Sequence, residues 1–333
     1  MIFEFTFPLF FALVIDIFII YLSHKYHLFL DEAHTEKPQN YHTHTTPRAG
    51  GIGIAVSLFF FILISPLGVK LLLPVVLAFL SGIFEDFHHS LTPKHRLALQ
   101  LIAALSAVWL TDAVVTYLGL GITLPYWLGV LFSMFAIVGM MNAVNIIDGF
   151  NGLASGIILL ILLSFGMTAY RQENVDILHI VLITGGAVFG FFLLNFPKGK
   201  IFLGDGGAYL LGFIVAITGI FLASNYEAVS PWYVLALFIY PVWEVLFSIV
   251  RKKYMKRSPL EPDADHLHML LYRQLTKNNP LTALFLLAMN VPFIALSTLF
   301  PNKSTTNIAI AVGFIVCYLL LYRFLYKKEY LSL

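Results

Sequence analysis

The sequence predicts an all-α, polytopic membrane helical bundle of about 11 transmembrane helices, and three observations predict it. Of 333 residues, 59% are hydrophobic and only 11% are charged, against roughly 25% charged in soluble domains. The apolar residues gather into eleven long segments separated by short polar stretches, as spanning helices require. The basic residues then fall almost wholly on one side of the alternation those segments impose.

The segments are 7–22, 51–65, 71–84, 97–110, 127–147, 153–170, 177–196, 201–223, 232–250, 281–300 and 308–324. The first follows Glu4 with no Lys or Arg before it and lacks a small-residue cleavage site. It therefore reads as a retained helix with its N-terminus outside. Several segments are shorter than the roughly 20 residues of a full span, so they borrow polar flanks or end in loops packed within protein. Gly186 and Gly190 in the seventh form a small-xxx-small pair, read as helix packing. Eleven crossings put the C-terminus inside. The outer loops then hold only Lys70, Arg171 and Lys303, leaving seventeen of the twenty Lys and Arg inside. A misdrawn helix would scramble that asymmetry. No internal repeat and no separating linker appears, so residues 1–333 read as one domain, with inner loops at 24–50, 85–96, 148–152, 197–200 and 251–280. Cys317 is the only cysteine, which excludes an internal disulfide or a cysteine-based metal site.

Three acids, Asp86, Asp148 and Asp205, end up at the inner mouths of three different segments. Asn142, Asn145 and Asp148 recur at i, i+3, i+6 and share a helix face, and Gly149 and Gly152 follow as turn residues. The bland reading is a polar helix end; the functional one is a site, favoured by a polar stack running into a membrane helix. Gly204-Asp205-Gly206-Gly207 precedes an apolar helix and can expose successive backbone N–H groups to an anion, with Asp205 as the hard oxygen ligand that Mg²⁺ requires. Taken alone that turn is weak evidence. Glu85 and Asp86 close the third segment. They read either as a solvated acidic loop or as a pair of which one enters the site, because adjacent helix residues diverge. His266 and His268 alternate, so an extended backbone presents both to one side, beside the basic run from Arg251 to Arg257. No third nitrogen or sulfur ligand accompanies them, which argues against zinc and leaves a diphosphate clamp or simple anionic-lipid contact. Arg48 suits phosphate by its planar fork and equally an interfacial anchor. Asp16 and Glu244, within the first and ninth segments, read as braces between helices.

In order along the chain, Lys37-Pro38-Gln39, His42 and Pro47-Arg48-Ala49-Gly50-Gly51 are followed by Gly82, Glu85-Asp86 and Asn142. Asp148-Gly149-Phe150-Asn151-Gly152, Asn195 and Phe202-Leu203-Gly204-Asp205 come next. Ser258-Pro259, Pro262-Asp263 and His266-Leu267-His268 complete the set. Together these resemble the polyprenyl-phosphate N-acetylhexosamine-1-phosphate transferases from about residue 31 to 275. That family includes the bacterial enzymes that start O-antigen, enterobacterial common antigen and teichoic-acid linkage synthesis, with phospho-N-acetylmuramoyl-pentapeptide transferase as a more distant member. The H-x-H loop is similar to the UDP-GlcNAc-type branch more than to the pentapeptide branch. The chain departs from the family pattern at Glu85 and Asn151, where Asp is usual, at Met269, where another His is frequent, and at Glu244, often Asp.

The resemblance implies transfer of a sugar-1-phosphate from a UDP-sugar, by default UDP-GlcNAc, to undecaprenyl phosphate with release of UMP. It implies Mg²⁺ on Asp205, with Mn²⁺ an acceptable substitute. It sets Asp86, Asp148, Glu85, His266 and His268 at the reaction centre, and Asn142, Asn145, Asn151, Asn195, Phe202, Arg48, Lys37 and His42 at the substrates, with Phe202 stacking on uracil. The expected partners are undecaprenyl phosphate, the UDP-sugar and membrane lipids, with a homodimer allowed and no nucleic acid. The expected location is the bacterial inner membrane, active site facing the cytoplasm. The competing reading is a secondary transporter working through Asp16 and Glu244. It calls for key acids at the bilayer midplane and repeat symmetry, and the motif acids lie at one face instead.

Overall fold

Within a bilayer every backbone N–H and C=O must be satisfied by the chain itself, which leaves the helix as the crossing element for continuous apolar runs. The computed structural model describes residues 1–31, 45–88, 91–224, 228–258 and 263–331, and it is all-α as expected. Each apolar segment is helical. In order they are α1 (Ile2–Tyr26), α2 (Gly50–Ile62), α3 (Pro66–His88), α4 (Pro93–Thr111), α5 (Tyr126–Ile147), α6 (Leu153–Arg171), α7 (Val175–Asn195) and α8 (Gly204–Ser224). The ninth segment is the pair α9 (Pro231–Leu237) and α10 (Ile239–Tyr254). A short α11 (Leu267–Leu271) precedes α12 (Asn279–Leu299) and α13 (Ser304–Leu331).

Among the described residues eight helices are long and apolar enough to cross a membrane alone, and nine if α9 and α10 count as one bent span. The count of eleven holds for apolar helices and not for full spans. α2 has only 13 residues, and the first turn of α4 carries Lys94, His95 and Arg96. The ninth segment, expected as one helix, bends by 75° at Phe238. Pro241 supplies the reason: it has no N–H for the carbonyl of Leu237, so it fits the first turn of a new helix better than the interior of a continuous one.

α8 forms the axis, with α3 and α5 packed along it and α2 and α6 beyond. Only Asp205, Phe221 and Ser224 of its residues escape full burial. α1 lies along α7, where a Cβ on Gly186 would sit 2.1 Å from the Phe5 carbonyl oxygen and one on Gly190 would sit 2.4 Å from that of Leu9. The small pair is thus where the two backbones touch, as close packing in membranes demands. Two short antiparallel strand pairs add to the expected plan. β1 (Leu30–Asp31) pairs with β2 (Thr46–Pro47), and β3 (Tyr117–Gly119) with β4 (Ile122–Thr123). The first pair is extended by a single parallel bridge from Arg48 to Phe202, which ties the entry to α2 to the entry to α8.

Candidate active site

A helix start leaves backbone N–H groups unpaired and carries partial positive charge. At α8 those groups meet the chain's own carboxylate: Asp86 Oδ1 accepts from the Asp205 N–H and Oδ2 from the Gly206 N–H, each at 2.9 Å. α3 runs on to His88, so Glu85 and Asp86 lie on helix and not in a loop beginning at 85. The two helices meet backbone to backbone, since a Cβ on Gly82 would lie 2.3 Å from the Asp205 carbonyl carbon. Gly204 has φ +75°, and a Cβ there would fall 2.7 Å from Asp86 Oδ2. Glycine is required on both counts.

The Asp205 side chain gathers the rest. Arg96 Nη1 lies 2.9 Å from Oδ2 and Arg48 Nη2 3.4 Å from Oδ1. Asn145 Nδ2 donates to Oδ1 at 3.0 Å. Arg48 is delivered by the strand bridge, in which the Phe202 N–H donates to the Pro47 carbonyl at 2.8 Å and the Gly50 N–H to the Phe202 carbonyl at 2.9 Å. Asn142, one turn before Asn145, donates instead to Gln100 Oε1 and to its own helix at Val138, both at 2.8 Å. Asp148 caps the end of α5. Burial pushes its carboxyl up to about 7, with Arg48 pulling it down and Asp205 pushing it further up.

Asn151 and Asn195 are buried, and both spend their amides on neighbouring loops. Asn195 Oδ1 accepts from the Gly152 N–H at 2.6 Å while its Nδ2 donates to the Ile201 carbonyl at 2.8 Å. Asn151 Nδ2 donates to the Pro197 carbonyl at 3.1 Å, and its N–H donates to Asn279 Oδ1 at 2.8 Å. They bind the 148–152 and 197–201 stretches into one floor. Phe202 is half-buried beside them. Lys37 and His42 lie outside the described residues.

Among the described residues of 251–280, α10 runs to Tyr254 and α11 covers Leu267–Leu271, where the sequence read as a polar, basic loop. His266 is the N-cap of α11 and His268 lies within it, so the pair is not on a strand. The two rings nevertheless stack, 5.3 Å apart with planes 4° from parallel. His266 Nδ1 meets Glu244 Oε1 at 2.9 Å. His268 is fully buried, and its Nε2 would lie 3.3 Å from a Cβ on Gly149, next to Asp148. Burial lowers the His268 pKa to about 3, against a pull upward from Glu244, so its ring is neutral at ordinary pH. Arg251 bonds Asp263 Oδ2 and the Asp265 carbonyl, and reaches Tyr322 OH at 2.8 Å. Burial opposes the Asp263 charge, yet the Ser248 hydroxyl at 2.5 Å and nearby positive groups hold its carboxyl below the usual range. Lys252, expected at the membrane surface, is buried with its Nζ 3.9 Å from Asp263 Oδ2.

Three residues outside the sequence-derived set take part in these contacts, Arg96, Gln100 and Tyr318, whose OH donates at 3.0 Å to Oε2 of Glu244, read from the sequence only as a brace. Arg96 and Gln100 share a face of α4 at i, i+4, the one signal that could have pointed to them. Among the described residues no three His, Cys, Asp or Glu stand at metal-cage spacing. Mg²⁺ asks less: one or two carboxylates, completed by water and substrate phosphates. Asp205 and Asp148 offer such oxygens. The Asp148 carboxyl is raised chiefly by burial, with the Asp205 charge adding to it, and a dication between the two acids would offset both costs, so the donor set fits.

Residues 69–223 match Glycosyl transferase family 4. A phospho-N-acetylmuramoyl-pentapeptide-transferase of Streptococcus agalactiae is 32% identical over 251 residues, covering 68% of this chain and 74% of its own. That of Streptococcus pneumoniae is 31% identical over 244 residues, covering 68% and 72%. The undecaprenyl-phosphate alpha-N-acetylglucosaminyl 1-phosphate transferase of Thermotoga maritima is 28% identical over 272 residues, 82% of each chain. The pentapeptide enzymes, expected as the more distant branch, match at higher identity over a shorter stretch. Through its family region and these relatives, the chain belongs to the polyprenyl-phosphate hexosamine-1-phosphate transferases of Glycosyl transferase family 4.

Proposed function

We propose that this protein transfers an N-acetylhexosamine-1-phosphate, by default GlcNAc-1-phosphate, from its UDP-sugar to undecaprenyl phosphate at the cytoplasmic face of a bacterial inner membrane. The observation that carries the reading is the meeting of Asp205 with Arg48, Arg96 and Asn145 at the start of α8. A phosphate oxygen of the lipid attacks the β-phosphorus of the donor, the bond to the α-phosphate oxygen breaks, and UMP leaves. Both reactants are anions, so repulsion and in-line placement set the barrier. Asp205 and Asp148 would hold Mg²⁺, which would supply charge neutralisation on the diphosphate.

Arg48 and Arg96 offer planar forks to phosphate oxygens. Asp86, bound to two backbone N–H groups, fixes where Asp205 stands. A phosphate monoester has a second pKa of about 6 and is mostly dianionic at neutral pH, so no strong base is needed and the acids act by field and position. His266 and His268 orient the donor, Asn142 and Asn145 face it from α5, and Phe202 stacks on uracil. Asn151 and Asn195 hold the floor beneath it. Against the transporter reading stand the family to which the chain belongs and the commitment of Glu244, one of its two acids, to His266 and Tyr318. A UDP-linked muramoyl-pentapeptide donor is the second reading, favoured by the 32% match.

The test is a panel of labelled UDP-sugars, that donor included, with undecaprenyl phosphate and Mg²⁺, read as label extracted into lipid. The expected result is a lipid-linked product and UMP from a UDP-N-acetylhexosamine. Product from the pentapeptide donor alone moves the chain to the second reading. No lipid product from any donor, with label accumulating inside sealed vesicles, overturns both.

A further inference from the structure

Glu244 is a carboxylate with 1% exposure, deep in α10 and away from the carboxylates around α8. Its partners are unusual for a mere brace. Oε1 accepts from the Leu267 N–H at 3.0 Å, at the start of α11, and faces His266 Nδ1 at 2.9 Å. Oε2 accepts from Tyr318 OH on α13 at 3.0 Å. Tyr318 in turn stacks on Tyr322, rings 6.2 Å apart and 8° from parallel, and Tyr322 accepts from Arg251. One buried acid thus joins the last helix to the H-x-H segment. Beyond it His266 stacks on His268, whose two ring nitrogens are buried with no hydrogen-bond partner among the described residues. His268 lies against Gly149, immediately after Asp148.

A histidine's second nitrogen is set by the group its first nitrogen binds, and a buried carboxylate there fixes both tautomer and ring attitude. We propose that Glu244, steadied by Tyr318, is the positioning residue of the histidine pair. It holds the proton on His266 Nδ1, leaves Nε2 turned toward Asp263 Oδ2 at 3.7 Å, and through the parallel stack sets His268 against the Asp148 turn. The assignment rests on the sugar-phosphate reading only for its effect on rate; the contact itself is independent of any substrate.

Glu244→Gln keeps the shape and an oxygen for His266 while removing the charge. If the residue positions the reacting partners, kcat falls by about 10-fold or more, as losses of supporting partners commonly do, while KM for the donor stays within about threefold. Glu244→Asp separates charge from packing. A positioning carboxylate predicts that Asp recovers much of kcat, whereas a packing role predicts that the shorter Asp is no better than Gln. Tyr318→Phe should give a smaller loss of the same kind. Ring ¹⁵N signals of histidine-labelled full-length protein, with His266 assigned through His266→Asn, supply a readout free of turnover. The Nδ1–H signal of His266 should shift in Glu244→Gln and return in Glu244→Asp. If the signals respond while no donor is turned over, the transfer reading fails and the positioning contact stands. If Glu244→Gln matches the wild type in both signal and kcat, or if His266 carries no proton on Nδ1, the proposal is overturned.

Discussion

Asp86 and Asp205 sit on either side of one helix start and hold different kinds of partner, so their substitutions should fail differently. Asp205 meets two guanidinium groups and an amide through its side chain. Asp205→Asn keeps the shape and removes the charge, so transfer should fall by about 100-fold or more, the cost of losing a preorganised electrostatic group, with folding intact. Asp86 accepts two backbone N–H groups. Asp86→Asn turns one acceptor into an NH₂ that faces a donor, which leaves a polar group unsatisfied, so this variant should lose transfer and also melt earlier. Glu85→Gln should retain part of the activity, because neighbouring helix positions diverge by about 100°. Turnover and thermal unfolding of the three variants check this; wild-type-like rates in Asp205→Asn, or equal loss at 85 and 86, contradict it. The three aspartates were legible because each stands at the end of an apolar run near glycines or asparagines, Asp86 and Asp148 closing one and Asp205 opening one. Arg96 was not, since a cation at the inner end of a helix reads first as a topology signal.

Among the elements, the 251–280 segment changes most between sequence and structure. Read locally it is a polar, basic loop. Folded, it is a cap held by Arg251 to Asp263, Arg251 to Tyr322, and Arg273 Nε to Glu329 at 3.0 Å. Contacts reaching to α13 cannot be read from local pattern, and the bend at Pro241 hides within an apolar run for the same reason. Both partners of the Arg251–Asp263 pair are almost wholly buried. Removing one strands the other, so Arg251→Ala should cost about 3–5 kcal/mol, while the paired change Arg251→Met with Asp263→Leu should cost less. Thermal unfolding in detergent compares the two; equal losses would mean that the pair contributes by packing alone. Lys252, close to the same carboxylate, should behave as part of this cap and not as a membrane anchor.

At the scale of the molecule, the described parts of the five predicted inner loops do converge. Residues from 46–51, the end of α3, the start of α4, the end of α5, 195–205 and 251–280 are joined by hydrogen bonds at one end of the bundle. At the other end Ser230 meets Ser304 at 2.8 Å and Arg171 Nη1 donates to the Thr298 carbonyl at 2.9 Å. The alternation of apolar runs thus groups these stretches as the hydrogen bonds do, with α2 and α4 shorter or less apolar than the eight helices that can cross alone. The orientation itself follows from the Lys and Arg bias and can be checked directly. With Cys317→Ser as background, a membrane-impermeant maleimide applied to intact cells should label Lys303→Cys and leave Lys200→Cys unlabelled. The opposite pattern would invert the assignment.

Synthesis runs from the N-terminus, and the brace on the histidine segment comes from near the other terminus. The Asp205 cluster is assembled from α2, α3, α4, α5 and α8, all made before residue 225. Tyr318, Tyr322 and Glu329 belong to α13, which emerges after all the other described helices. A growing chain can thus complete its acidic cluster while the cap over it still lacks its far support. On the proposal that Glu244 and Tyr318 position the histidine pair, competence would wait on insertion of α13, and a chain halted before it should be inactive.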